Sequence, residues 1–313
     1  MPTVLLTAPY MLPFRDRFVP LLESYGLSVL EPDVRERMDE ADLLQYAGLF
    51  DGTICGDDRY TERVMAACMP RLKVISKWGT GIDSIDSEAA SRLGIRVCRT
   101  PNAFTLPVAD SVLGYILAFA RSQPWMDRQM KAGQWEKIPG RALHECTLGV
   151  VGVGAIGKAV IRRARAFGMR VLGNDIAEVD HAFVAETGLR MTDLPSMVAA
   201  SDFVSVNCDL NPSSRHIIND TILAGMKRGA VLINTARGPL VDEAALVSAL
   251  QAGHIAGAAL DVFEFEPLPP GSPLLHMDNV LLAPHNSNSS PAAWERVHLH
   301  TIDNLLDGLG IAR

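Results

Sequence analysis

The stretch Gly152-Val153-Gly154-Ala155-Ile156-Gly157 carries three glycines at the spacing of a turn that can approach a diphosphate. It follows the apolar run Leu148-Gly149-Val150-Val151 and opens a helical pattern, Ile156–Phe167. In that setting Gly152 permits the tight turn, Gly154 lets backbone come close to a ligand, and Gly157 allows close helix–strand packing. The amides of Ala155 and Ile156 begin the helix, where an anion is favoured by the unpaired N–H groups. An acidic side chain is expected about 20 residues further on, to hold ribose hydroxyls. Asp175 stands 18 residues beyond Gly157 (175 − 157). Its charge repels a 2′-phosphate and the neighbouring Ile176 supplies no cation, so the spacing predicts NAD rather than NADP.

A hydride carrier needs a partner carbon with an acid–base beside it. Histidine titrates nearest neutral pH. His285, in Ala283-Pro284-His285-Asn286, directly follows a predicted strand; Arg237 and Asp261 follow two others, and Glu266 lies in the loop beyond Asp261. Carboxyl ends of strands face the ligand crevice of a doubly wound sheet, so four functional groups emerge at one edge. Each alone has a structural reading: a salt-bridged arginine, a loop glutamate, a hydrogen-bonded histidine. Their joint placement beside the glycine-rich turn points to chemistry.

The elements that must position them form two series. Strand candidates Val4–Leu6, Ser28–Leu30, Gly52–Cys55, Lys73–Ser76 and Ile95–Cys98 alternate with amphipathic stretches such as Phe14–Ser24 and Glu62–Ala67. A second series reads Leu148–Val153, Arg170–Asn174, Phe203–Val206, Ala230–Asn234, Gly257–Leu260 and Val280–Ala283, with helices such as Ile156–Phe167 and Glu243–Ala252 between. Strands alternating with helices give an α/β chain with parallel sheets. A long helix over Pro107–Arg121 joins the series, and a terminal helix over Pro291–Leu309 can return to the first.

At 313 residues the chain suits about two domains. With 48% hydrophobic and 21% charged residues it is globular in composition. A net charge of −7 argues against nucleic acid or an anionic membrane as partner. No run reaches the length of a membrane span, and the N-terminus lacks the basic region of a secretory signal. Cysteines 55, 68, 98, 146 and 208 form no C-x-x-C pair, so free thiols in a reducing cytoplasm are expected.

These motifs resemble the D-isomer-specific 2-hydroxyacid dehydrogenases over nearly the whole chain. The likeness rests on Gly152–Gly157 with Asp175, Asn234-Thr235-Ala236-Arg237-Gly238, Leu260-Asp261-Val262-Phe263-Glu264-Phe265-Glu266-Pro267, Pro284-His285 and Gly79-Thr80-Gly81-Ile82-Asp83. Lys77-Trp78-Gly79-Thr80-Gly81 and Thr100-Pro101-Asn102 look most like phosphoglycerate dehydrogenase-type members.

The resemblance implies a Rossmann NAD-binding domain, residues 101–285, inserted in a flavodoxin-like substrate domain, residues 1–100 and 286–313. It implies reversible hydride transfer between nicotinamide and a D-2-hydroxy acid of the 3-phosphoglycerate, hydroxypyruvate or glyoxylate type. Arg237 would grip the carboxylate and keto oxygen, His285 would exchange the proton, and Glu266 would orient the imidazole. Thr235, Ala236 and Asp261 would contact the cofactor; Gly79, Thr80, Gly81 and Asn102 would contact the substrate. Lys77 either meets a second anionic group such as a phosphate or is a surface lysine. Hinges would fall near Cys98–Pro101 and Pro284–Ser290, and a homodimer is expected through the cofactor domain and the Pro107–Arg121 helix.

The chain departs from many relatives at Asp110, in Asn207-Cys208-Asp209-Leu210 and in Asn286-Ser287-Asn288-Ser289-Ser290. The sequence ends at Arg313, so the extra regulatory domain that some phosphoglycerate dehydrogenases carry is not expected. His298-Leu299-His300 points to two helix faces without a third ligand, so both histidines are read as solvated and no metal is expected. Trp78, Phe104 and Trp294 can line a pocket or fill the core. A different class stays open: an NAD(H)-sensing, non-catalytic binding protein of the same fold.

Overall fold

The computed structural model describes residues 1–312. In chain order its elements are β1 (Thr3–Leu6), α1 (Arg15–Ser24), β2 (Ser28–Leu30), α2 (Glu40–Leu44), β3 (Gly52–Cys55), α3 (Glu62–Ala67), β4 (Val74–Lys77), α4 (Ser87–Arg92) and β5 (Arg96–Cys98). Next come α5 (Thr105–Ala120), α6 (Gln123–Lys131), β6 (Thr147–Val151), α7 (Ala155–Ala166), β7 (Arg170–Asn174), α8 (His181–Thr187), β8 (Arg190–Met191) and α9 (Leu194–Ala200). The chain continues through β9 (Phe203–Val206), α10 (Asp220–Gly225), β10 (Val231–Asn234), α11 (Glu243–Gln251), β11 (Gly257–Leu260), β12 (Val280–Leu282) and α12 (Pro291–Leu309). Two compact units result, one of Met1–Phe104 with Ser290–Arg313, the other of Thr105–Ser289.

The first unit holds a five-stranded parallel sheet in the order β2-β1-β3-β4-β5, the flavodoxin-like winding. The strands are short and apolar because both faces are covered. Leu5, Cys55 and Ile75 face a core with Val64, Met65, Ala89 and Ala90 from α3 and α4. On the other face α12 lies close to the sheet: a Cβ on Gly308 would sit 2.4 Å from Val74 Cγ2, and one on Gly52 would sit 2.9 Å from Leu305 Cδ1. Two small residues thus set the depth at which α12 packs. Each fully buried leucine, isoleucine or valine in such a layer contributes about 1.5–3 kcal/mol of transfer free energy.

The second unit holds a seven-stranded parallel sheet, β12-β11-β10-β9-β6-β7-β8. Side chains alternate between its faces, as pleated strands require. Leu148, Val150, Phe203, Val231, Ile233 and Ala259 pack on one side with α5 and α7. Val151, Val204, Val206, Leu232, Ala258 and Leu260 pack on the other with Leu246 and Leu250 of α11. The apolar positions of the long helix, Val108, Val112, Leu113 and Ile116, are buried, and Arg163 Nε donates to Asp110 at 2.6 Å, tying α5 to α7. Strand order reverses at β6, with β7 to one side and β9 to the other. Ligands of open α/β sheets bind at the carboxyl ends of strands at such a point.

Candidate active site

The glycine-rich turn leaves the carboxyl end of β6. Gly152 has φ +89°, and a Cβ there would lie 2.5 Å from the Cys208 nitrogen and 2.7 Å from its Cα. Only glycine fits against the chain leaving β9. A Cβ on Gly157 would fall 2.1 Å from the Gly152 carbonyl oxygen. Gly154 differs: its φ is −72°, and a Cβ there would meet nothing within 4 Å. Its bareness serves no contact inside the protein, so it keeps a space open above the start of α7. Ala155 is exposed and Ile156 half-buried at that opening, and α7 carries no side-chain cap.

Asp175 closes the turn from β7. One carboxylate oxygen accepts the Val153 amide at 2.6 Å and the other the Ala177 amide at 2.8 Å. Beside it Ile176 is 97% exposed and brings no charge. Cys208, behind the turn, has its thiol pushed up to about 11 by burial.

Two buried oxygens further mark the sheet edge. Asn207 follows β9; its amide nitrogen donates to Ser205 O at 3.1 Å and Oγ at 3.0 Å, while its Oδ1 has no partner. Thr235 follows β10, and its Oγ1 is likewise buried without a partner. Leaving such an atom unmet costs about 1–3 kcal/mol. Two of them beside an open glycine turn and an acidic strand end fit a polar dinucleotide. Asn207 was missed as a candidate; the signal was its position immediately after the strand next to β6.

Arg237, Asp261, Glu266 and His285 come from three neighbouring strands in register, Asn234 pairing with Leu260 and Leu260 with Leu282. Arg237 follows β10; its carbonyl accepts Asn234 Nδ2 at 2.9 Å, and its Nη1 donates to Ala236 O at 2.9 Å. Gly238 is obligatory behind it, since a Cβ would lie 1.9 Å from the Phe263 carbonyl. Glu266 accepts the Phe263 amide at 2.9 Å through Oε1 and meets His285 Nδ1 at 2.9 Å through Oε2. Imidazole and carboxylate are 18% and 19% exposed, dry enough for the couple to be firm and open enough to be reached. Asp261, fully buried, accepts the amides of Asn286 and Ser287 at 2.8 and 2.9 Å, and its own carbonyl accepts the His285 amide at 2.8 Å. His285 has φ +49°, a costly conformation for a non-glycine residue that this clamp maintains.

The remaining predicted residues stand in the first unit, Lys77 at the end of β4 and the others in the segments after β4 and β5. Gly79 has φ +115°, and the loop is pinned by Thr100 N to Gly79 O at 2.7 Å and Thr80 Oγ1 to Thr100 O at 2.8 Å. Thr80 and Gly81 are half-buried, and Asn102 is exposed with φ +58°. Lys77 is neither a surface lysine nor an open cation: its side chain is 5% exposed, and its ammonium meets Asp57 at 3.2 Å and the Trp78 carbonyl at 3.0 Å. Trp78 and Phe104 are core residues, their rings 5.4 Å apart, with Tyr10 stacked on Trp78 at 4.3 Å and the half-buried Trp294 6.2 Å away.

His298 corrects an expectation. It is buried, not solvated, and its Nδ1 accepts from Trp78 Nε1 at 2.9 Å; burial pushes its pKa down to about 4. His300 is exposed as expected. The signal was present: Trp294, His298, Ile302 and Leu305 recur at helical spacing on the face of α12 that meets the sheet.

The doubly wound sheet, its open glycine turn and the adjoining arginine and histidine–glutamate couple define a dinucleotide-dependent oxidoreductase. Comparison with known proteins narrows the class. Residues 113–287, more than half of the chain, match the model of the D-isomer specific 2-hydroxyacid dehydrogenase NAD binding domain. A glyoxylate reductase of Thermofilum pendens is 42% identical over 80% of this chain and 75% of its own. A D-3-phosphoglycerate dehydrogenase of Methanocaldococcus jannaschii is 37% identical over 90% of this chain, which spans 53% of that longer protein. Among solved structures, D-lactate dehydrogenase from Aquifex aeolicus, complexed with NAD and lactic acid, superposes with a TM-score of 0.86 at 27% identity, covering 98% of this chain and 97% of that one. The chain belongs to the D-isomer-specific 2-hydroxyacid dehydrogenase family. It is an NAD-dependent oxidoreductase, and the catalytic reading prevails over a purely NAD(H)-sensing one. No helix among the described residues is long and apolar enough to cross a membrane.

Proposed function

We propose that the chain reduces small, unphosphorylated 2-keto acids of the glyoxylate or hydroxypyruvate type, and oxidises the matching D-2-hydroxy acids. The observation that carries this choice of substrate is Lys77. Its ammonium is buried and already balanced by Asp57, so it offers no charge to a phosphate group. The relative at 42% identity is a glyoxylate reductase, which agrees.

Arg237 binds the substrate carboxylate and keto oxygen through its fixed fork of donors. The amides of the Gly79-Thr80-Gly81 loop and the Asn102 side chain share in carboxylate recognition. Glu266 holds His285 Nδ1, which assigns the proton transfer to Nε2. A nicotinamide held at this edge would supply the hydride to C2, or take it up. His285 gives its proton to the carbonyl oxygen as the C2–H bond forms, and recovers it in the oxidation. Glu266 stabilises the protonated ring and fixes its orientation, as the acid of a triad does. The turn Gly152–Gly157 and α7 would hold the diphosphate, and Asp175 would hold the ribose hydroxyls. Thr235, Ala236 and Asn207 line the same edge and would contact the dinucleotide, and Asp261, which holds the His285 loop from behind, would contact the carboxamide.

Purified protein is tested with NADH against glyoxylate, hydroxypyruvate and 3-phosphohydroxypyruvate, following loss of nicotinamide absorbance. The expected order places kcat/KM for the unphosphorylated acids at least about tenfold above the phosphorylated one, because Lys77 is committed to Asp57 and a phosphate would go unpaired there. A preference for 3-phosphohydroxypyruvate overturns the reading.

We assign the working form to a homodimer in the reducing cytoplasm. All five cysteines are free, three of them buried. The surface assigned to a second copy is the cofactor domain with the outer side of helix α5, where Leu106 is 60% exposed, and the apolar side chains beyond it, Met130 at 50% and Trp135 at 82%. Sedimentation equilibrium giving only the 33.9 kDa mass at micromolar concentration would remove the dimer.

A further inference from the structure

A second histidine–carboxylate couple, outside the proposed catalytic set, bridges the two loops that bear it. His216 sits at φ +51° in the segment between β9 and α10. Its backbone amide donates to Pro239 O at 2.9 Å, in the turn that directly follows Arg237. Its ring Nε2 meets a carboxylate oxygen of Glu264, two residues before Glu266. One residue therefore grips the arginine turn through its main chain and the glutamate loop through its side chain.

The surroundings reinforce this bridge. Ile218 N donates to Leu240 O at 3.1 Å and Asp242 N to Ile218 O at 2.9 Å, so the His216 segment is laced along the arginine turn. The turn touches the glutamate loop directly, since Gly238 leaves no room for a Cβ against Phe263 and Glu264. The Glu264 amide donates to Glu243 Oε2 at 3.3 Å, and burial raises the Glu243 carboxyl. Asp242 Oδ2 stands 4.0 Å from His216 Nδ1, so Glu264 and Asp242 are the acids that meet this ring, with Glu243 behind the Glu264 amide. Glu266, by contrast, is tied to its own loop through Phe263 N and to His285. With His216 removed, the Glu264 side chain loses this tie to the arginine turn, and only its main chain is held, by the amide bond to Glu243 and by packing on Gly238.

We propose that His216 is a positioning residue: paired with Glu264, it fixes the spacing between Arg237 and the Glu266–His285 couple. This rests on the assignment of those three residues to the reaction. A 1 Å error in such a spacing costs up to about a hundredfold in rate, which makes a remote tether kinetically visible. No charge transfer or covalent step is involved.

The test compares His216→Ala, His216→Gln, Glu264→Gln and His285→Ala by steady-state kinetics with glyoxylate, NADH titration by fluorescence, and thermal unfolding. Glutamine places an amide donor near the position of the imidazole Nε2. His216→Ala is expected to lower kcat about tenfold or more with NADH affinity within about twofold of wild type. His216→Gln is expected to recover most of that loss, and Glu264→Gln, which keeps an acceptor, to fall between. Full turnover in His216→Ala overturns the proposal. So does an equal defect in the alanine and glutamine variants that tracks a lowered unfolding temperature, because that is a fold defect without a positioning role. If His285→Ala retains turnover, the catalytic assignment fails instead, and that result is read independently of the His216 series.

Discussion

Asp261 holds His285 from behind. The His285 amide donates to the Asp261 carbonyl at 2.8 Å, while both carboxylate oxygens take the next two amides, of Asn286 and Ser287. The imidazole thus rides on a short loop in a left-handed conformation, anchored to a buried anion at the end of β11. Glu266 then sets the ring itself, through Nδ1. Backbone position and ring orientation have separate keepers.

That separation predicts a graded loss. His285→Ala should lower kcat by about 10²–10⁴-fold, the worth of a positioned acid–base. Glu266→Gln keeps an oxygen for the imidazole but no charge, and should cost less. In both, NADH affinity measured by fluorescence should stay near wild type. A drop in affinity that matches the drop in kcat would place these residues in cofactor binding instead.

Two glycines of one turn should respond differently to alanine. Gly152→Ala puts a Cβ 2.5 Å from the Cys208 nitrogen at φ +89°, so it should lower stability by several kcal/mol and abolish NADH binding. Gly154→Ala meets nothing within 4 Å, so the fold should stand within about 1 kcal/mol of wild type. NADH affinity should nonetheless fall at least about tenfold in Gly154→Ala, where the diphosphate is assigned. Unfolding curves with and without NADH distinguish the two; unchanged affinity in Gly154→Ala would displace the diphosphate from this turn.

Cofactor choice should move with two residues. Wild type should use NADH over NADPH by about a hundredfold or more in kcat/KM, from repulsion between Asp175 and a 2′-phosphate. The double variant Asp175→Ser, Ile176→Arg replaces the repelling charge with an attracting one, on a side chain that is already 97% exposed. Parallel assays with both cofactors should show the ratio falling by at least about tenfold; an unmoved ratio would place the ribose elsewhere.

His298 should make the first unit acid-sensitive. Its folded-state pKa is lowered to about 4, chiefly by burial, from an ordinary value of 6.5. The neutral ring is favoured in the folded state. Its contribution is therefore fully present above pH 6.5 and is lost as pH falls toward 4, because the unfolded chain takes up the proton first. Between pH 7 and 5 this loss is on the order of 1 kcal/mol. His298→Gln should show a flatter stability profile over that range by chemical denaturation. A variant profile parallel to wild type would refute the assignment.

Much of this was legible from residue order. The helices Glu62–Ala67 and Pro291–Leu309 begin and end where apolar spacing places them; the structure adds the caps, Thr61 on the first and Ser290 on the second. The glycine turn and the edge residues were legible because each directly follows an apolar strand. Strand β8, only two residues long, gives no periodic signal and was not foreseen. Lys77 was ambiguous because nothing local reveals that Asp57, 20 residues earlier, neutralises it. The pairing of His216 with Glu264 joins residues 48 apart, a contact created by the register of β10 and β11 and not by any local pattern.

The alignment of Asn234, Leu260 and Leu282 across three adjacent strands has a practical corollary. Arginine, glutamate and histidine stand on adjacent strands of one sheet, and the ladder beneath them, with the His216–Glu264 tie proposed above, sets their separation. On the proposed assignment, directed evolution of acceptor range should target the neighbourhood of Thr80, Gly81 and Asn102, which lies outside the strands that carry Arg237, Glu266 and His285. Libraries confined to that region should yield many soluble, turnover-competent variants with altered preference, whereas equally sized libraries over 237–242 or 261–267 should be dominated by inactive ones.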